Sequence, residues 1–437
     1  LESVSVGGAA VTRGRPLPGN EPVADTLAVT VPADAPVTQP YWLRAPATKG
    51  RFAVAEQTLI GLPEDPPALT ARFRVRVAGE AIGFELPVAY RWTDPVQGER
   101  WRAFEIPPPA TLRLDQPFYA FPDPAPRAVT VTVHAERANL AGTLSLALPP
   151  GWRAEPARAP VALAAEGDEG SVRFTLTPGP AAAGGTLAAR LEVDGRAWSH
   201  ERVTIDHPHI PVQTLFPPAE APLVRADIRH AGARVAYVMG SGDPVPEALR
   251  QIGWQVTPLS DADLEASDLS HFDAIVTGVR AYNVRPRLRA LEPRLLDYVR
   301  AGGTLVVQYV TTADGPVTGL GPYPFTVSHD RVTVEEAPVT FVHPGHALLT
   351  TPNAIGPADF DGWVQERGLY FANPWDPRYE TVLSCHDPGE PARDGGLLYA
   401  RYGRGVFVYC AYAMFRQLPA GVPGAWRLFA NLVSARP

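Results

Sequence analysis

The sequence predicts a multidomain chain: two all-β sandwiches followed by an α/β domain with a parallel sheet. Three observations carry this. Between Arg234 and Val310, short apolar runs at Val235–Met239, Ala274–Thr277 and Thr304–Val307 alternate with helix-period segments at Pro244–Ile252 and Pro286–Arg300. Apolar strands separated by helices form parallel sheets covered on both faces. Upstream, strand-like runs are spaced by Gly, Pro and charged turns. The 49 prolines, about twice average usage, crowd the first half, where they favour sandwiches and linkers over helices.

Taken in order, residues 1–118 form the first β domain. Leu27–Val31, Phe73–Val77 and Phe84–Trp92 alternate apolar and polar residues, the pattern of half-buried strands. Residues 119–206 repeat that texture in VTVTVHAE, TLSLALPPGW, VRFTLTP and TLAARLEV. Strands at this spacing point to an immunoglobulin-like sandwich, without the Cys…Trp…Cys hallmark of antibody domains. Residues 207–230 are Pro-rich and aperiodic, which predicts an extended linker. The α/β pattern occupies 231–437 and ends in a helix-like GAWRLFANLVS.

Composition narrows the function classes. The 437 residues are 45% hydrophobic and 19% charged, as in a globular protein with several cores. A net charge of −7 and a pI near 5.8 argue against a nucleic-acid surface. Lys49 is the single lysine against 38 arginines, a bias of composition rather than a site. No run approaches the roughly 18 apolar residues of a membrane span. Two cysteines, Cys385 and Cys410, make neither a disulfide framework nor a four-ligand zinc site, and both sit in strand-like runs as expected of buried thiols. No signal peptide is visible, and a start at Leu1 rather than Met is expected of a piece of a longer protein.

In parallel sheets the loops leaving the carboxyl ends of the strands carry the function. Gly240-Ser-Gly-Asp243 precedes a helix, where its backbone suits an anion and Asp243 suits the N-cap. It lacks the G-x-G-x-x-G and P-loop fingerprints. The loop at Gly278–Asn283 offers Arg280, Tyr282 and Asn283, which fit a polar ligand such as a sugar, or else tie loops together. Gln308 ends the next strand. These residues are expected to share one cleft with Arg416, which follows the run Val406–Ala411. The segment Trp363–Arg367, with Trp363, Gln365, Glu366 and Arg367, is expected to form a wall or lid.

Catalytic readings are thinner. Asp359, Asp361 and Glu366 could pair as acid and base, as glycosidases require, or serve as ion pairs. His343-Pro-Gly-His346 is half of a metal site at most, and turn histidines suit it better. A nucleophile elbow would fall at Gln308-Tyr309-Val310, none of which is a nucleophile. Cys385-His386-Asp387 has the residues of a triad, but neighbours on a strand point to opposite faces. No metal or other cofactor is implied.

Longer motifs add a resemblance. TQPYWL (38–43), YRWTDPVQGE (90–99), HIPVQ (209–213), GSGDPVP (240–246), GVRAYNVRP (278–286), GGTLVVQY (302–309), GPYPF (321–325), DFDGWVQERGLYF (359–371) and FRQLPAGVPGAWRLFANL (415–432) together resemble the carboxyl-terminal region of large bacterial PIG-L (LmbE-like) deacetylases. The resemblance implies β-sandwich modules followed by a flavodoxin-like domain similar to class I glutamine amidotransferases and ThuA-like proteins. It implies a zinc-dependent N-acetyl-sugar deacetylase domain as amino-terminal partner, whose His-Pro-Asp-Asp motif is absent here. Val310 stands where the family usually has Asn after Gln-Tyr. The resemblance points to a periplasmic or secreted setting. The expected function is a non-catalytic accessory region that binds or positions carbohydrate. The alternatives are a glycan hydrolase using the carboxylates of 359–366 and a structural or oligomerisation domain.

Overall fold

Strand predominates over helix in this chain, 37% against 15% of its residues. The computed structural model describes every residue except Arg15, Ala33, Asp314, Pro316 and Thr318. The amino-terminal region differs from the expected sandwich. It holds one antiparallel sheet, ordered Ala9–Thr12, Ser3–Val6, Thr70–Val77 and Glu80–Pro87, and a separate hairpin of Ala89–Asp94 with Gly98–Ala103. The alternation in these strands correctly marks one apolar face. It carries no information on whether the chain supplies a second layer to cover it.

The next unit is a two-sheet sandwich. One sheet runs Trp152–Glu155, Glu169–Pro178, Arg127–Ala135, Ala110–Leu114. The other runs Ala159–Leu163, Leu140–Ala147, Gly185–Val193, Glu220–Arg225, Tyr119–Phe121. Alternate residues of facing strands, among them Val129, Val131, Val133, Leu144, Phe174 and Leu191, meet in one core. Two boundaries move as a result. Ala110–Leu114 belongs here rather than to the first domain. The expected linker over 207–230 contains Glu220–Arg225, a sandwich strand paired with Gly185–Val193 and Tyr119–Phe121. Prolines 217, 218 and 222 hid the alternation that buries Ala221 and Leu223.

From residue 231 the chain forms an α/β layer. Its strands are β1 (Arg234–Val238), β2 (Gln255–Pro258), β3 (Ala274–Thr277), β4 (Thr304–Gln308), β5 (Glu380–Thr381), β6 (Leu397–Tyr402) and β7 (Gly405–Cys410). The sheet order is β2-β1-β3-β4-β7-β6-β5. The first five in that order are parallel, and β6 and β5 continue antiparallel. Every residue of β3, β4 and β7 is buried, which is why these runs read as continuously apolar. Helices α1 (Val245–Gln251), α2 (Pro286–Arg300) and α3 (Pro423–Ser434) pack on it. Between β4 and β6 the chain inserts three short antiparallel pairs spanning 325–385, with β5 lying within that stretch.

Sandwich and α/β layer share a core. Phe118 meets Trp426 of α3 edge-on at 5.4 Å between centroids. The Gln251 amide donates to Phe118 O (2.9 Å) and accepts from Ala120 N–H (2.7 Å), fixing α1 to the edge strand of the sandwich.

Candidate functional site

The loops after β1, β3, β4 and β7 reach the same edge of the sheet because those strands are parallel. The crevice between β1 and β3 is the switch point, where the connections leave in opposite directions. Here it is stitched shut. Ser241 N–H donates to Val279 O (2.9 Å), and the Asp243 carboxylate accepts from Val245 N–H (3.1 Å), Val279 N–H (3.1 Å) and the Tyr237 hydroxyl (2.6 Å). A Cβ on Gly240 would lie 2.0 Å from Val279 O, so the loops touch backbone to backbone. Asp243 thus fills the place where an anion would sit. It is not the N-cap of α1, a position held by Pro244.

The Tyr237 hydroxyl, held protonated well above its usual range by burial and then by Asp243, accepts from the Gln308 amide at 3.2 Å. Gln308 also donates to Thr277 O (3.3 Å), while its buried Oε1 meets no hydrogen-bond partner among the described residues. Asn283 is spent on structure: both ends of its amide clamp Thr311, at 2.7 and 3.0 Å.

Three expected ligand residues are corrected outright. Tyr282 turns into the core, where its hydroxyl meets the Glu292 carboxyl. Burial holds that carboxyl above the usual range, and Gly321 N–H binds its other oxygen at 2.9 Å. Trp363 is buried against Phe360 and donates to Asp359 O (3.1 Å). Arg367 is 4% exposed, bonded to Ala337 O and Phe360 O and packed over two rings. These side chains are core rather than lid. Spacing along the sequence shows polarity and length but not which way a loop residue turns.

Gln365, Arg280 and Arg416 do come to this edge, Gln365 exposed and the two arginines half-buried, with Glu366 buried beneath them. Arg367 N–H bonds Val332 O and Ala413 N–H bonds Arg367 O, pinning the 365–370 segment beside the end of β7. Arg416 then pairs with Glu366 (3.0 Å) and donates a second N–H to Gln365 Oε1 (2.6 Å). Arg280 N–H donates to Tyr309 O (2.9 Å).

The centre of this patch is a residue that the sequence reading passed over. Tyr309 makes edge contacts with Tyr370 (5.6 Å) and Phe415 (5.1 Å), and the exposed ring of His329 lies 6.1 Å from Tyr370. Burial, followed by the Glu366 charge, pushes the Tyr309 hydroxyl up to about 12, so it is a neutral donor at physiological pH. Tyr309, Tyr370 and Phe415 all lay inside motifs quoted above, the two tyrosines just after strands and Phe415 in the short helix Met414–Gln417. His329 had no sequence signal.

Backbone strain marks the same place. From residue 231 onward, the non-glycine residues with positive φ among those described are Arg280 (57°), Gln365 (68°) and Tyr370 (61°). All three surround Tyr309 and Arg416. Such conformations cost of the order of 1 kcal/mol each and cluster at binding sites, where the surroundings over-determine them.

The carboxylates that a glycosidase would need have separate engagements. Asp359 pairs with Arg427 (2.7 Å) and accepts Gly356 N–H, Glu366 pairs with Arg416, and Asp361 is exposed. His346 accepts Leu348 N–H at 3.1 Å, a capping role that fits a turn histidine. Asp387 accepts the backbone N–H groups of Thr333 and Val334, away from any relay with Cys385. A groove of about 480 Å³ opens at the amino edge of the sheet, beside Asp273, Arg294 and Arg436. Its arginines already bond main-chain carbonyls, so it presents little unspent recognition chemistry.

Cys385 and Cys410 are buried strand residues; desolvation pushes their thiols up to about 11 and about 12. Native protein is expected to label slowly with a thiol reagent, and both groups to react after denaturation. Rapid stoichiometric labelling of either in the native state would contradict this.

No family model matches the chain, and no curated protein matches it. Solved structures similar to parts of it include the following two. One is an uncharacterized protein from Nocardia farcinica described as having an immunoglobulin-like fold, at 21% identity, 25% of this chain, 98% of that chain and a TM-score of 0.14. The other is a Bacteroides ovatus GH5 xyloglucanase in complex with a XXXG heptasaccharide, at 10% identity, 46% of this chain, 45% of that chain and a TM-score of 0.14. At these scores neither carries an argument, and the sandwich stands on its own strand pairing. No helix among the described residues is long and apolar enough to cross a membrane.

Proposed function

We propose that the chain is a non-catalytic accessory region that binds or positions carbohydrate at the carboxyl edge of its α/β domain. The strand order β2-β1-β3-β4-β7 supports a flavodoxin-like assignment for that domain. The motif resemblance supports a setting beside an N-acetyl-sugar deacetylase. The observation that carries the reading is the strained rim of Arg280, Gln365 and Tyr370 around the Tyr309–Phe415 rings and Arg416. Rings offer faces to the C–H side of a sugar, and fixed guanidinium and amide groups meet its hydroxyls or carboxylates. Glu366 and Asp359 are tied to arginines, which favours binding over acid–base chemistry.

The test separates recognition from folding. Arg280→Gly removes a guanidinium and relieves a left-handed backbone, so the melting temperature should hold or rise. On an array of neutral, N-acetylated and acidic oligosaccharides, affinity should fall about tenfold or more, which is about 1.4 kcal/mol. Wild-type protein that binds no oligosaccharide on the array, or a variant that binds as well as wild type, would sink the proposal.

A further inference from the structure

The amino-terminal sheet sorts its side chains by face. Facing one way are Val4, Val6, Ala9, Val11, Ala71, Phe73, Val75, Val77, Ile82, Phe84 and Leu86, as the strand registers require. Facing the other are Arg72, Arg74, Arg76 and Glu85, and Glu2 bonds Arg74 and Arg76 on that side. Arg72 and Glu85 sit directly opposite each other and pair at 2.8 Å. The apolar face has a single charged strand residue, Glu80, at its rim opposite Val77.

This face is a core without its second half. Val4 is buried, but Val77, Ile82, Phe84 and Leu86 are 55, 47, 43 and 51% exposed. Phe73 and Phe84 stack across the strands at 5.1 Å with rings 10° apart, which makes the patch flat. Glu80–Pro87 is also an edge strand, exposed at all eight positions. Antiparallel sheets tolerate one solvated face, and here the ion-paired arginine face already fills that role.

We propose that a second copy of this chain covers the apolar face, the two sheets stacking about 10 Å apart around a twofold axis to complete a sandwich. Charge supports a like partner: apart from the rim Glu80, the strands bring no like charges into the contact. Area supports it too. Burying the open parts of the Phe73, Val75, Val77, Ile82, Phe84 and Leu86 side chains removes roughly 500 Å² per copy, about 1,000 Å² in all, the threshold for a specific interface. The twofold is isologous, so Phe84 of one copy packs among the apolar residues of the other. This site is remote in sequence from the carbohydrate patch and does not depend on it.

Sedimentation velocity on the full chain, from about 1 to about 100 µM, tests the proposal. Wild type should pass from monomer to dimer in that range. Phe84→Glu should weaken dimerisation at least tenfold, while Arg74→Ser, on the opposite face, should leave it unchanged. Circular dichroism checks the fold of each. Should Phe84→Glu unfold the sheet, the Ile82→Thr, Leu86→Thr pair keeps strand propensity and should give the same loss. A wild type that stays monomeric at the highest concentration overturns the proposal. So does a dimer that survives the apolar-face variants, or one lost equally in Arg74→Ser.

Discussion

Asp243→Ala is expected to destabilise the α/β domain by about 3 kcal/mol, because it strips partners from three donors at once. Two are the backbone N–H groups of Val245 and Val279, and the third is the buried Tyr237 hydroxyl. A buried donor left without a partner costs about 1–3 kcal/mol, and Asp243 is only half-buried, so water meets part of the loss. Asp243→Asn should cost less, since one amide oxygen still accepts while the NH₂ group opposes a donor. Urea titration measures both. Amide exchange at Val279 should accelerate in the alanine variant as the β1 and β3 loops come apart. A loss below about 1 kcal/mol with Val279 still protected would mean the loops hold without the carboxylate. The cost comes from a side chain that serves as the crevice's own anion.

Trp426→Ala should have the largest effect on stability, about 3–5 kcal/mol, through a cavity at the join of sandwich and α/β layer. Trp426 is fully buried, packs edge-on against Phe118 and donates its indole N–H to Leu418 O at 3.0 Å. For a unit of this size that is a fall in melting temperature of roughly 10 °C. Trp426→Leu should recover part of it by refilling the space. Because Phe118, Ala120 and Val224 belong to the same core as α3, both units should melt together in calorimetry. Separate transitions, or a shift of a degree or two, would show that the two bodies stand independently.

The legibility of this chain in its sequence is uneven for physical reasons. β1, β3, β4 and β7 could be read because strands buried on both faces have continuous apolar runs bounded by glycines. Glu220–Arg225 could not, since three prolines nearby imitate a linker and its partners lie about 35 and 100 residues upstream. At the site, Arg280 and Arg416 reached the predicted edge because parallel strands deliver their loops there, while Gln365 and Glu366 arrive on the inserted segment pinned beside the end of β7. Tyr282, Trp363 and Arg367 lie in the same stretches and point inward. A loop's polarity does not encode its rotation, and within the 363–367 segment it is Gln365 that turns out to solvent while Glu366 is buried against Arg416.

What the sequence determined by itself is periodic: which stretches are strands or helices, which face of each is apolar, and hence which sheet edge gathers the loops. Those properties follow from local sterics and side-chain alternation, which neighbouring residues settle among themselves. The tertiary structure decided the rest. It used Asp243 as an internal anion, gathered the rim residues around the buried Tyr309 and committed Asp359 to Arg427. It also left the Phe84 face open. Each of these depends on contacts between residues far apart in the chain, where the choice between solvent, protein and ligand as a partner is made only when distant elements pack.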